Sequence, residues 1–132
     1  MNQVRLSAST VLCLTLATCL ALLCSCGEPP GDSELTAHTQ VQLLDWHISG
    51  FWIINCPVAW VRVSNYNQVP IKNIVIEYTT YDAVGNQLDR DKYTIDGNVG
   101  PGQTKNFIEL YFGLVNLYTE QMSIKLISAQ RD

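Results

Sequence analysis

Apolar and polar side chains alternate with a period of two along much of the chain after Val41, and no other feature constrains the fold as strongly. Three segments show this alternation most clearly. Their apolar positions are Leu44, Trp46 and Ile48, then Ala59, Val61 and Val63, then Ile74, Ile76 and Tyr78. Because successive side chains of a β-strand point to opposite faces, each segment is predicted to be a half-buried strand.

Turn-forming residues separate the predicted strands. They cluster at Gly50 and in residues 65–70, 82–86 and 96–102, and the last of these segments contains three glycines and a proline. Further strands are predicted over residues 87–94, 104–112 and 122–129, and residues 113–120 are either weakly helical or a loop with one turn. Short strands at this spacing, with no long helical segment between them, predict an antiparallel all-β sandwich.

The N-terminal residues have the organisation of an export signal. Arg5 is the only charged residue before Glu28, and residues 11–23 are an apolar run that is short for a membrane span, which needs about 20 residues. The run ends in Leu23-Cys24-Ser25-Cys26, which resembles the processing site of bacterial lipoproteins. The resemblance implies cleavage before Cys26 and attachment of lipid to that cysteine. An ordinary signal peptide and an uncleaved signal anchor are the alternatives.

Processing at this position would divide the chain into three regions. These are a lipoprotein signal peptide at residues 1–25, the lipidated Cys26 with a flexible tether at residues 26–40, and a β-sandwich domain at residues 41–132. The tether assignment depends on its many Glu, Pro, Gly, Ser and Thr residues. Lipid on Cys26 would anchor the protein to a membrane of the cell envelope. In a Gram-negative cell, Gly27 after the acceptor implies the outer membrane, facing the periplasm.

Composition after Cys26 differs from that of the whole chain. Cys56 is the one cysteine beyond Cys26, so no intramolecular disulfide is expected, and its apolar neighbours favour a small buried side chain over an intermolecular disulfide. Loss of Arg5 takes the formal net charge from −4 to −5. This acidic balance argues against nucleic acid or anionic lipid head groups as partners.

The segment Tyr78-Thr79-Thr80-Tyr81-Asp82 resembles the signature of the FxLYD domains, small immunoglobulin-like sandwiches of exported bacterial proteins. Residues 61–65 resemble the family's strand ending in Asn, and residues 99–102 its Pro-Gly turn before a strand with Phe107. The sequence departs from the signature at two positions, with Tyr78 for Phe and Thr80 for Leu. The resemblance implies an immunoglobulin-like β-sandwich of about six to seven strands, without catalytic residues.

The pair Tyr81-Asp82 also has a direct physical interpretation. Tyr81 is expected to pack on a strand. Asp82 is expected to accept backbone hydrogen bonds at the start of the turn that contains Gly85, because aspartate side chains commonly bond to amides of the residues that follow them.

Two sets of polar side chains contain the residue types of a metal site or a catalytic site, but neither has the required spacing. The first set, a calcium site, lacks EF-hand spacing and is better explained as a solvated strand and turn; it comprises Asp89, Asp91 and Asp96. The second set superficially resembles a catalytic triad; it comprises Asp45, His47 and Ser49. Alternate residues of one strand lie about 7 Å apart, too far for the hydrogen bonds that proton transfer requires. No catalytic site, metal or cofactor is therefore expected.

Aromatic side chains supply the candidate interaction surface. Trp60 lies between Ala59 and Val61, which take the inner face, so its indole is expected outside. An exposed apolar patch of Trp60 and Trp52 is predicted, with Tyr111 as a further contact.

The expected function follows from the anchor and this patch. It is that of a non-catalytic, membrane-anchored lipoprotein, a protein-interaction or structural accessory module that contacts an envelope protein through aromatic side chains and edge strands. A module that binds carbohydrate or cell-wall glycan through Trp52, Trp60 and Tyr111 is the alternative.

Overall fold

A computed structural model describes residues 29–50 and 54–132. One short helix, α1 (Asp32–Ala37), precedes six strands: β1 (Thr39–Ser49), β2 (Cys56–Asn65), β3 (Ile71–Tyr81), β4 (Gln87–Ile95), β5 (Thr104–Tyr111) and β6 (Gln121–Arg131). The strands pair antiparallel in two three-stranded sheets, with the orders β1-β2-β5 and β4-β3-β6. The prediction of an antiparallel all-β sandwich is confirmed.

The core lies between the two sheets and is built from the inward-facing side chains of the alternating segments. The two central strands supply the largest share of it, with Ala59, Val61 and Val63 from β2 and Ile71, Ile74, Ile76 and Tyr78 from β3. Full burial of each large aliphatic side chain contributes about 1.5–3 kcal/mol. Phe112 adds an aromatic cluster, because its ring centroid lies 4.8 Å from those of both Tyr78 and Tyr93.

The alternation fails at one residue of β1. Leu44 was expected inside, but a β-bulge between Leu43 and Asp45 shifts the register against β2, and Leu44 is 38% exposed. An extra residue in one strand reverses the faces on which its neighbours lie. Leu43 therefore packs against the core in place of Leu44, whereas Trp46 and Ile48 pack there as predicted.

The chain between Asp32 and Gln40 is not a tether. These residues form α1 and the start of β1, and Leu35 of the helix is fully buried in the core. The hydroxyl of Thr36 also accepts a hydrogen bond of 3.0 Å from the backbone N–H of Ala129 in β6. The expectation of a flexible tether is therefore wrong for residues 32–40, because one leucine docks a segment of otherwise polar composition.

A buried network of two asparagines connects α1 with the sandwich. The side-chain nitrogen of Asn65, a residue only 1% exposed, lies 2.9–3.1 Å from three backbone carbonyl oxygens, those of Val69, Val99 and Gly100. Its side-chain oxygen accepts hydrogen bonds from both the backbone and the side-chain N–H groups of Asn67. Asn67 in turn donates to the carbonyl of Leu35 at 3.0 Å.

The strand order places the connections at two opposite ends of the sandwich. We call one the helix end, which contains α1 and the connections 66–70 and 96–103. The other is the loop end, which contains Gly50, Ile54 and Asn55 between β1 and β2 and the connections 82–86 and 112–120.

Candidate functional site

Trp60 lies on the outer face of the β1-β2-β5 sheet, as predicted. Its neighbours Ala59 and Val61 are fully buried on the inner face, whereas the indole is half-buried. The imidazole of His47 packs against it, with ring centroids 5.3 Å apart and an interplanar angle of 34°. This contact holds the indole on the sheet surface and leaves part of it open to solvent.

Tyr111 shares this face with Trp60. It pairs across the strands with Val58, which lies two residues before Trp60 and so on the same side of β2. Tyr111 is 60% exposed, and Ile108, in the bulge of β5 opposite Trp60, is 65% exposed. We call the surface of His47, Trp60, Ile108 and Tyr111 the aromatic face. Trp52, the third predicted member of the patch, lies outside the described residues, as does Cys26.

The arrangement of Asp45 and His47 does not resemble a catalytic site. Asp45 accepts a hydrogen bond of 2.8 Å from the backbone N–H of Trp46, and the ring of His47 packs on Trp60. Within the described part of the chain, no hydrogen bond joins the side chain of His47 to Asp45 or to Ser49. Both Asp45 and His47 are exposed, in agreement with the prediction of a polar outer strand face.

The aspartates of β4 bond to the protein backbone. Asp89 accepts a hydrogen bond of 2.7 Å from the N–H of Asn116, and Asp91 accepts one of 2.7 Å from the N–H of Lys92. Among the residues that the structure describes, no three His, Cys, Asp or Glu side chains come together in a group that could hold a metal ion. Asp89 has a structural role that the sequence did not indicate, since it fixes the connection between β5 and β6.

Cys56 is half-buried at the start of β2. Its thiol donates a hydrogen bond to the carbonyl of Phe112, with Sγ and O 2.8 Å apart. Burial raises the pKa of the Cys56 thiol, because the thiolate would lose solvation. The thiol therefore stays protonated at neutral pH and lacks the thiolate character of a nucleophile.

Asp82 caps the turn between β3 and β4 in the predicted way. Its carboxylate accepts hydrogen bonds from the backbone N–H groups of Val84 and Asn86 at 3.0 and 2.8 Å, and from the side-chain amide of Asn86 at 2.9 Å. The side chain of Asn86, and then its backbone N–H, lower the pKa of Asp82, because both stabilise the ionised form. Gly85 completes the turn at a φ of 90°.

This turn is expected to give the protein a pH-dependent stability. The pKa of Asp82 in the folded protein is below its value of about 3.9 in the unfolded chain. The contribution of Asp82 to the stability of the fold is therefore complete above about pH 3.9, and it is lost as the pH falls through the folded pKa. Asp82→Ala should therefore lower the melting temperature at pH 7, and the difference from wild type should shrink below about pH 4. Val84→Ala, at an exposed side chain of the same turn, is the control. A difference that stays constant between pH 7 and about pH 2 would contradict this account.

The loop end carries apolar side chains that the sequence did not identify as a surface. Leu114, Leu117 and Tyr118 of the β5–β6 connection are exposed, as are Ile54 and Val84 of the other two connections. The sequence offered either a weak helix or a loop for residues 113–120, and the structure shows a loop with a turn near Leu117 and Tyr118.

Comparison with known proteins adds no family assignment. No family model matches the chain, and no curated protein matches it. One solved structure, titled "X-ray structure of Northeast Structural Genomics Consortium target SoR45", aligns over 74% of this chain and 87% of that chain, with 13% identity and a TM-score of 0.35. The class of the protein is therefore defined by its own architecture, an antiparallel two-sheet β-sandwich with an aromatic outer face.

Proposed function

We propose that the protein is a non-catalytic, membrane-anchored envelope lipoprotein whose β-sandwich binds a protein partner through the aromatic face. The observation that carries this proposal is the position of Trp60 and Tyr111 together on the solvent side of one sheet. Tryptophan and tyrosine are enriched among the residues that dominate binding energy at protein interfaces. They also bury a large area for few rotatable bonds.

The surroundings of Trp60 favour binding. The indole is already packed on His47 and sits on the central strand of its sheet, so little side-chain freedom is lost when a partner covers it. Asp45 pairs with Trp60 across the strands and is exposed, which provides a polar border beside the apolar centre. An apolar centre with a polar rim is the usual organisation of an interface.

The same face also supports a second function, binding of carbohydrate. Rings of Trp and Tyr stack on sugar rings, and polar groups beside them bond the sugar hydroxyls. Arg62 and Asn106, joined by a hydrogen bond of 3.1 Å, lie next along the same face. A glycan array probed with the full chain distinguishes the two functions, because sugar-specific retention that disappears in Trp60→Ala would favour the carbohydrate.

Photocrosslinking from the aromatic face tests the protein-binding proposal. With a photoreactive benzoylphenylalanine at position 111 of the full chain in its own envelope, we expect an adduct with one protein, reduced at least about tenfold by Trp60→Ala. Tyr66→Ala, at an exposed tyrosine of the helix end, should leave the yield unchanged. An adduct insensitive to Trp60→Ala, or no adduct at all, would contradict the proposed role of this face.

Membrane anchoring is tested separately at Cys26. Cys26→Ala should abolish incorporation of labelled palmitate and move the protein from the membrane fraction to the aqueous fraction. In the described segments, no helix is both long and apolar enough to cross a membrane. If the variant keeps both its label and its place in the membrane fraction, lipid attachment at Cys26 is wrong.

A further inference from the structure

Exposed apolar side chains are concentrated at the loop end. Of nine large apolar side chains that are exposed in the described residues, five lie there, and each is between 54% and 82% exposed. We call this surface the apolar tip; it consists of Ile54, Val84, Leu114, Leu117 and Tyr118. Single exposed apolar residues need no explanation, but a group of them at one end of a small domain marks a contact surface.

The members of the apolar tip are neighbours in space. Tyr118 lines two adjoining clefts, one of about 400 Å³ shared with Leu114 and Leu117, and one of about 210 Å³ shared with Val84. Asn55, the residue after Ile54, lines the first of these clefts. Val84, Leu114 and Leu117 therefore form one continuous surface around Tyr118, and Ile54 is joined to it through Asn55.

Hydrogen bonds hold the apolar tip in a defined conformation. The N–H of Val115 donates to the carbonyl of Asn55 at 2.9 Å, and the N–H of Glu120 donates to the carbonyl of Tyr81 at 2.9 Å. Between these points, Asp89 accepts from the N–H of Asn116 at 2.7 Å. A loop fixed at three places loses little conformational freedom on binding, which favours affinity.

The charged side chains within the three connections have a single sign. Residues 50–55, 82–86 and 112–120 contain two charged side chains, Asp82 and Glu120, and no Lys or Arg. Asp82, like any exposed aspartate, is ionised at neutral pH, and its hydrogen bonds lower its pKa further. A complementary surface would therefore be apolar in its centre and basic at its border.

We propose that the apolar tip is a docking surface for a second protein, one that presents apolar side chains bordered by Lys or Arg. This contact is distinct from the aromatic face, and its orientation rests on the proposed anchoring at Cys26. The alternative occupants are a lipid bilayer and a second copy of the chain.

A bilayer fits the apolar tip poorly. Anionic head groups would be repelled by Asp82 and Glu120. The chain from Cys26 to Asp32 spans at most about 20 Å, whereas an 11-residue strand such as β1 is about 36 Å long. Because α1 is docked at the helix end, a membrane that holds Cys26 cannot be reached by the opposite end of an upright domain.

A second copy of the chain is also disfavoured. A two-fold contact between apolar tips would bring the Asp82 and Glu120 carboxylates of both copies to the same interface. Like charges facing each other across an interface oppose association. The charge pattern therefore favours a different protein, one with basic side chains, as the partner of the apolar tip.

Photocrosslinking in the intact envelope also tests this proposal, with the full chain and a benzoylphenylalanine at position 117. Position 66, an exposed tyrosine at the helix end, is the matched control site. We expect an adduct with a single different protein from position 117 and not from position 66. The yield should fall at least about tenfold in Glu120→Lys, because charge reversal places a cation against the partner's basic border. Glu34→Lys, the same reversal on α1, should have no effect.

Each other outcome overturns the proposal. An adduct with phospholipid assigns the apolar tip to a membrane, and an adduct of twice the chain mass assigns it to a second copy. If the adduct with a protein still forms in the Glu120→Lys variant, the partner lacks the proposed basic border. If position 117 yields no more adduct than position 66, the apolar tip is not a docking surface. Trp60→Ala, which tests the aromatic face, should leave the adduct from position 117 unchanged, so failure of the two proposals can be told apart.

Discussion

Asn65→Ala is expected to lower the free energy of unfolding by about 3–5 kcal/mol, because each buried polar group left unpaired costs about 1–3 kcal/mol. The side chain of Asn65, which is 1% exposed, contacts three backbone carbonyls and accepts hydrogen bonds from the backbone and side-chain N–H groups of Asn67. The free energy of unfolding of a whole small domain is only about 5–15 kcal/mol. Denaturation in urea, followed by tryptophan fluorescence, measures the change.

Asn106→Ala provides the control for this substitution. Asn106 is exposed, and its side chain accepts one hydrogen bond, from Arg62 at 3.1 Å. The free energy of unfolding should therefore fall by no more than about 0.5 kcal/mol. A similar loss in both variants would show that the buried network does not stabilise the fold.

Leu35→Ala should cost about 2–5 kcal/mol, the usual range for truncating a fully buried leucine. Leu35 has no exposed surface and belongs to the main core, although it lies in a six-residue helix that precedes the first strand. The matched variant is Leu117→Ala, the same chemical change at a side chain that is 58% exposed, where the loss should be below about 0.5 kcal/mol.

Urea denaturation of the two leucine variants also locates the start of the folded domain. If Leu35→Ala is as stable as Leu117→Ala, α1 does not belong to the cooperative unit. In that case the domain begins near Val41, as the composition of the sequence had indicated.

The sequence predicted those parts of the fold that depend on local pattern. β2 and β3 are central strands whose inner faces are covered, so the residues predicted to face inward, such as Val61 and Ile76, are buried. The turn at Asp82 was also predictable, because its hydrogen bonds reach only two and four residues along the chain. Both features require no knowledge of which strands pair.

Other features depend on partners far away in the sequence. Leu35 is one apolar residue in a polar segment. Its burial depends on contacts with the rest of the sandwich, and no periodic pattern in the segment indicates these contacts. Asn65 bonds the carbonyls of Val99 and Gly100, more than 30 residues later. The bulge at Leu44 is a property of the pairing between β1 and β2, and the apolar tip forms only when three separate connections meet.

The aromatic face was predicted in part for the same reason. Trp60 could be placed outside from its two neighbours alone. Its contact with His47 and the position of Tyr111 beside Val58 depend on strand pairing, which a single sequence does not reveal.

The two bulges opposite Trp60 have a consequence for assembly. β1 and β5 are the edge strands of their sheet, and each breaks its regular pairing at this level, at Leu44 in one and at Ile108 and Glu109 in the other. An uninterrupted edge invites another chain to add a strand, and continued addition leads to fibrils. An irregular edge resists such growth. The irregularities that accompany the exposed Trp60 and Tyr111 should therefore also keep crowded copies of the protein from joining through the edges of this sheet.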